Sequence, residues 1–209
     1  METTALLVID LQNDFCTGPT AAARHPGSLP RIGEVARNTA RAVERARADG
    51  VEVIFVRFVG DPGYQGPSWR RRDRVLGKRP KCLENTWGAE FCEVIPRPGE
   101  AVFTKYACFD AFLDPGLERH LTGAGVERLV LAGLYTDVCV DSTARTAFQK
   151  GFHITVLTDC TAALHLDDAD VLRFMTAVYG ARTTTHDRWS PLAPQEDACS
   201  PPASNTASR

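Results

Sequence analysis

Six short runs, five apolar and the last threonine-rich, punctuate this chain, and helical segments separate most of them. The runs are TALLVI (4–9), VEVIFVRF (51–58), AVFTK (101–105), ERLVLAGL (127–134), FHITVLTD (152–159) and RTTTH (182–186). Between them, residues 31–48 carry Ile32, Val35, Ala36, Thr39, Ala40, Val43 and Ala46 at helical spacing and stop at Asp49-Gly50. Residues 114–124, 136–151 and 167–180 also predict helices. Strands that alternate with helices in this way predict a parallel sheet covered on both faces, a three-layer α/β fold.

In such open sheets, ligands bind beyond the carboxyl ends of the strands. Three groups stand at that rim. Asp10 ends the first strand, Lys105 ends the AVFT strand, and Cys139 falls in the first turn of the helix after VLAGL. A helix start and a nearby ammonium both favour a thiolate, so a lowered pKa is expected for Cys139. Asp10 would carry protons, Lys105 would hold Asp10 ionised, and the turn would offer N–H donors to an oxyanion. Each residue also has a plainer use: Asp as a turn former, Lys as a solvated strand end, Cys as core.

Composition removes other classes. The chain has 209 residues, 44% hydrophobic, and a net charge of −2, enough for one core and no field attracting nucleic acid or an anionic membrane. No apolar run approaches the ~20 residues a membrane span needs. Residues 5–9 are too short for a signal peptide and run into polar QND, which reads as cytoplasmic. Seven cysteines, none in C-x-x-C spacing, argue for reduced thiols rather than disulfides or zinc. One domain is expected over 1–189, followed by a disordered tail over 190–209. Residues 59–100 lack any long periodic segment and are either functional or built of short elements.

Three segments, ALLVIDLQNDF, FTKYACFDAF and GLYTDVCVDSTARTAFQKGF, resemble the signature segments of the isochorismatase-like cysteine hydrolases over about residues 5–186. The resemblance implies a six-stranded parallel sheet and a Cys–Asp–Lys triad of Cys139, Asp10 and Lys105. It implies a cis peptide at Leu134-Tyr135 and an oxyanion hole from the N–H groups of Tyr135 and Cys139. It also implies a small-molecule substrate and a homodimer or higher homo-oligomer.

Departures narrow the substrate. The family's nicotinamidases bind a metal through histidines, yet residues 51–119 contain none, although Asp61 is present. No metal or other cofactor is therefore expected. A cysteine in the nucleophile position favours amide chemistry over the vinyl ether cleavage of true isochorismatases. ENTWGAEF (84–91) resembles a segment of the metal-free amidohydrolases. Hydrolysis of a small amide, N-carbamoyl compound or lactam through a thioester is expected, with vinyl ether hydrolysis, nicotinamidase-like activity and a non-catalytic scaffold as alternatives. Substrate contacts are expected among Phe15, Trp87, Tyr106, Phe109 and Tyr135, with Phe112 also a candidate; some of these rings belong to the core. Trp87 either walls the pocket or anchors its loop. Gln12 and Asn13 either bond the Asp10 region or form a turn. The basic run 69–81 is either a solvated face or supplies one arginine to a substrate carboxylate. His165 is a surface residue or a substrate contact.

Overall fold

A computed structural model describes residues 3–190, so all but Ser190 of the expected tail lies outside the described residues. Six strands form one sheet: β1 (Thr4–Ile9), β2 (Glu52–Val59), β3 (Ala101–Tyr106), β4 (Arg128–Leu134), β5 (His153–Ala162) and β6 (Arg182–Thr184). Every pairing is parallel, in the order β3-β2-β1-β4-β5-β6. The central strands β1 and β4 are buried along nearly their whole length, which is why they read as unbroken apolar runs.

The two-residue side-chain period of β1 divides the core. Leu6 and Val8 face one layer; Ala5, Leu7 and Ile9 face the other. The first layer is α3 (Leu29–Ala48), which buries Ile32, Val35, Ala36, Ala42, Val43 and Ala46 against the sheet. It begins after Ser28 with Pro30 in its first turn, and the chain leaves it through Gly50 at φ +70°. The opposite layer holds α5 (Pro115–Gly123), α6 (Asp141–Gln149) and α7 (Asp168–Tyr179). Side chains cap two of these: Asp114 accepts the Gly116 N–H at 2.8 Å, and Asp167 accepts the Ala169 N–H at 2.9 Å.

Several boundaries differ from expectation. Two short helices, α1 (Asn13–Cys16) and α2 (Gly18–Arg24), follow β1 where GPTAAAR shows no amphipathic period. The 59–100 segment contains α4 (Pro67–Val75) and 3-10 turns at Pro62–Tyr64 and Trp87–Ala89. The helix expected over 136–151 divides into a π-helical turn, Thr136–Val140, and α6. Strand β5 continues to Ala162 past an irregularity opposite Leu131 and Gly133, and β6 stops at Thr184. No helix among the described residues is long and apolar enough to cross a membrane.

Candidate active site

The chain winds from β1 outward through β2 to β3, then returns to β4 on the other side of β1. The sheet therefore changes winding direction between β1 and β4, and in open sheets of this kind the ligand crevice lies at that point, beyond the carboxyl ends of the strands. Asp10 directly follows β1 and Tyr135 directly follows β4, with Ile9 paired to Gly133 between them. Asp10 has φ +52°, a left-handed conformation that Asp tolerates better than most residues, and donates its N–H to Val56 O at 2.8 Å. Gly133 has φ +115°, and a Cβ there would lie 1.9 Å from Ile9 O. Only glycine lets the two strand ends approach this closely.

Lys105 reaches the crevice from β3, across Phe58, its register partner on β2. Its Nζ lies 2.6 Å from Asp10 Oδ2 and 3.0 Å from Phe109 O. Asp10 is 0% exposed, Lys105 1% and Cys139 7%. Burial pushes the Asp10 carboxyl above its usual range, and Lys105 and Cys139 pull it partway back. Burial alone favours a neutral Lys105, but the Asp10 carboxylate and then Cys139 outweigh it and raise the ammonium above the ordinary lysine range. Asp10 Oδ1 is buried with no formed hydrogen bond and remains available to a thiol proton.

Cys139 departs from the sequence expectation of a lowered pKa. Burial, followed by the charge of Asp10, pushes its thiol well above the ordinary range, against the pull of Lys105. Enclosure next to a carboxylate outweighs the helix start and the ammonium together. The resting group is a thiol beside a base, not a standing thiolate.

The turn that carries Cys139 is fixed from several sides. Leu134-Tyr135 is a cis peptide, as the resemblance implies. Tyr135 O accepts N–H groups from Val138 at 3.0 Å and Val140 at 3.1 Å. Thr136 Oγ1 lies 2.8 Å from Thr161 Oγ1 and donates to Asp168 Oδ1 at 3.2 Å. Asp137 accepts the N–H groups of Leu164, His165 and Leu166. On the Lys105 side, Thr143 Oγ1 accepts the Ala111 N–H, and Thr146 Oγ1 donates to Asp110 at 2.6 Å. Thr136 lies in the GLYTDVCV segment that carries the family resemblance, but its pairing with Thr161 and Asp168, and the loop tie made by Asp137, carried no sequence signal.

The structure separates the aromatic candidates. Phe15 and Tyr135 meet edge to face at 5.7 Å, and Phe58 lies 6.1 Å from Phe15. Trp69 continues the wall, 6.2 Å from Phe58 and 4.8 Å from Phe109. Phe58 and Trp69 were not foreseen, because their strand and loop positions read as core and basic surface. Trp87 is half-exposed over Gly18, and its carbonyl accepts Asn13 Nδ2 at 2.8 Å. Tyr106 pairs with Tyr64 at 4.5 Å, and Phe112 packs against Phe152 in the core. Trp87, Tyr106 and Phe112 thus stand outside the ring chain that borders Lys105. Gln12 is buried, donating to Phe58 O and Ala89 O and accepting the Phe58 N–H at 2.7 Å, which locks the loop to β2. His165 is exposed. In the basic run, Arg72 lies 4.0 Å over Trp69 but is paired with Asp73 at 2.5 Å.

Asp61 accepts the Glu84 N–H at 2.7 Å, a loop tie. Among the described residues, Asp159, Cys160 and His186 form the group whose donor atoms could share a metal ion. Asp159 is already engaged by the His186 ring at 2.5 Å and by its N–H at 2.9 Å, and none of the three belongs to the Asp10 crevice.

A family model described as the Isochorismatase domain matches residues 4–188. Ureidoacrylate amidohydrolase RutB from Pseudomonas syringae pv. syringae is 30% identical over 172 residues, 76% of this chain and 70% of that protein. The crystal structure of N-carbamoylsarcosine amidase from Thermoplasma acidophilum superposes with a TM-score of 0.75 at 27% identity, covering 90% of this chain and 99% of that one. A pyrazinamidase of Pyrococcus horikoshii in complex with zinc superposes with a TM-score of 0.71 at 25% identity, over 88% and 99% of the two chains.

Proposed function

The chain belongs to the isochorismatase family, and from that premise we propose that it is a cysteine amidohydrolase acting on a small amide, N-carbamoyl compound or lactam. The observation that carries the reading is the buried Lys105–Asp10 pair, 2.6 Å apart, with the Cys139 thiol acting on both groups. The relatives named as an amidohydrolase and an amidase support the same bond type.

In the first half-reaction, Asp10 takes the Cys139 proton as sulfur attacks the carbonyl carbon. Burial raises the Asp10 carboxyl above its ordinary range, which makes it a stronger base than an exposed carboxylate, and the Lys105 ammonium beside it offsets the charge that the transfer leaves on sulfur. The N–H groups of Tyr135 and Cys139 hold the oxyanion. The tetrahedral adduct collapses, the C–N bond breaks, and Asp10 returns the proton to the departing ammonia or amine. A thioester remains on Cys139. In the second half, Asp10 deprotonates water, hydroxide adds to the thioester, and the C–S bond breaks. The acid leaves and the sulfur recovers the proton from Asp10. Lys105 remains an ammonium throughout and balances the charge that moves between oxygen and sulfur.

The test is a panel of primary amides, N-carbamoyl compounds and lactams assayed for the released amine and acid, with Cys139→Ala as control. Turnover by the parent and none by the variant supports the proposal. Equal turnover by both defeats it.

A further inference from the structure

Arg24 ends α2 beside the crevice, and no aspect of the proposed hydrolysis uses it. Its guanidinium carbon lies 5.7 Å from the ring centres of both Phe15 and Tyr135. Tyr135 is the residue from which the Cys139 turn starts, and both Arg24 and Cys139 act electrostatically on its hydroxyl. Arg24 Nε is buried with no hydrogen-bond partner. Among the described residues no carboxylate forms an ion pair with Arg24 or with Lys81.

Lys81 is the second cation of this corner. Its backbone is held in place: the Gly60 N–H donates to Cys82 O at 3.2 Å, and the Cys82 N–H donates to Asp14 Oδ2 at 2.7 Å. Burial and the Arg24 charge pull the Lys81 ammonium down to about 8. The carboxylate that acts on it, Asp73, is already engaged by Arg72. Two partly desolvated cations that repel each other and lack a carboxylate partner are costly in a folded protein. They suit a site whose anion arrives with the ligand. A guanidinium presents a planar fork that matches a carboxylate. The Phe15 and Tyr135 rings, which meet edge to face, supply an apolar surface beside that fork.

We propose that Arg24, assisted by Lys81, binds the carboxylate of the substrate, so that the enzyme acts on amides or carbamoyl compounds that carry an acid group at the end away from the scissile bond. The proposal deepens the amidohydrolase reading and rests on it for the position of the reacting carbonyl. The arginine's part thus falls to α2, while the basic run 69–81 contributes its last residue, Lys81. Arg72, the counterpart of Arg24 in that run, is already paired with Asp73.

The test compares N-carbamoyl amino acids with their methyl esters, matched in length, on the parent, Arg24→Gln, Arg24→Lys and Lys81→Met, each checked for native circular dichroism. The parent is expected to prefer acids in kcat/KM. Arg24→Gln is expected to reduce the acid-to-ester ratio by about 30-fold, the range of a charge-assisted hydrogen-bonded pair, and Arg24→Lys to restore part of it. A ratio unchanged in Arg24→Gln, or a parent that prefers the esters, overturns the assignment. Calorimetric titration with propionate and benzoate needs no turnover. Binding by the parent and loss in Arg24→Gln support the carboxylate site even if no carbamoyl compound is cleaved, an outcome that counts against the amidohydrolase reading alone. Absence of Arg24-dependent carboxylate binding counts against the carboxylate site alone.

Discussion

Lys105 Nζ lies 2.6 Å from Asp10 Oδ2, and both side chains are sealed from water at the carboxyl edge of the sheet. A buried ion pair is a small net contributor when intact but a large liability when halved. Lys105→Met leaves Asp10 buried without its cation. The expected loss is about 3–5 kcal/mol in urea unfolding, with part recovered in the Asp10→Asn, Lys105→Met double variant. A double variant less stable than Lys105→Met contradicts this reading of the pair.

Gly133 tests the approach of β1 and β4. An alanine Cβ would stand 1.9 Å from Ile9 O at a residue with φ +115°. Gly133→Ala combines overpacking with a backbone conformation hostile to L side chains and is expected to cost more than about 3 kcal/mol. Soluble yield and thermal unfolding measure it. A variant that melts with the parent shows that the strands can separate here without penalty.

Gln12→Ala leaves Phe58 N–H, Phe58 O and Ala89 O without the partners that Gln12 supplies. The expected loss is at least about 3 kcal/mol, since each buried unsatisfied group costs roughly 1–3 kcal/mol. Faster hydrogen exchange is expected at Phe58 and through the 3-10 turn at Trp87–Ala89. Unchanged exchange there contradicts a locking role.

Lys81 gives a pH dependence with a definite sign. Burial comes first among the influences on it, then Arg24 and Lys78 lower it while Asp73 and Cys82 raise it, and the result is about 8 against an ordinary 10.5. A lysine depressed in the fold is charged in both states below pH 8, so the native state bears the full cost there. Between about pH 8 and 10.5 the native form has lost the proton and the unfolded form still holds it, which relieves that cost. Parent stability measured relative to Lys81→Met should therefore rise across that window and be lost as pH falls through 8. A flat difference contradicts the desolvated placement of Lys81.

Residues whose positions follow from strand and helix ends were legible before folding. Asp10, Lys105 and Cys139 each stand where an apolar run stops or a helix starts, and in a parallel sheet such ends share one rim. The sheet itself was legible for the same reason. Arg24 was not: GPTAAARHPG has no period that marks a helix, and its neighbours Phe15 and Tyr135 are brought to it by tertiary packing. Trp69 was hidden inside a basic run that forms α4. The direction of the Cys139 shift was misread because sequence position reports the helix start, whereas closure of the crevice sets the desolvation.

The central claim is that Cys139 forms the covalent intermediate, and acid quench followed by peptide mass analysis addresses it most directly. Parent protein stopped during turnover of a cleaved amide should carry the acyl group of that amide on the peptide containing Cys139. Cys139→Ala should fold, carry no adduct and lose more than about 1,000-fold in kcat. An adduct on another residue, or undiminished turnover by folded Cys139→Ala, would contradict the account.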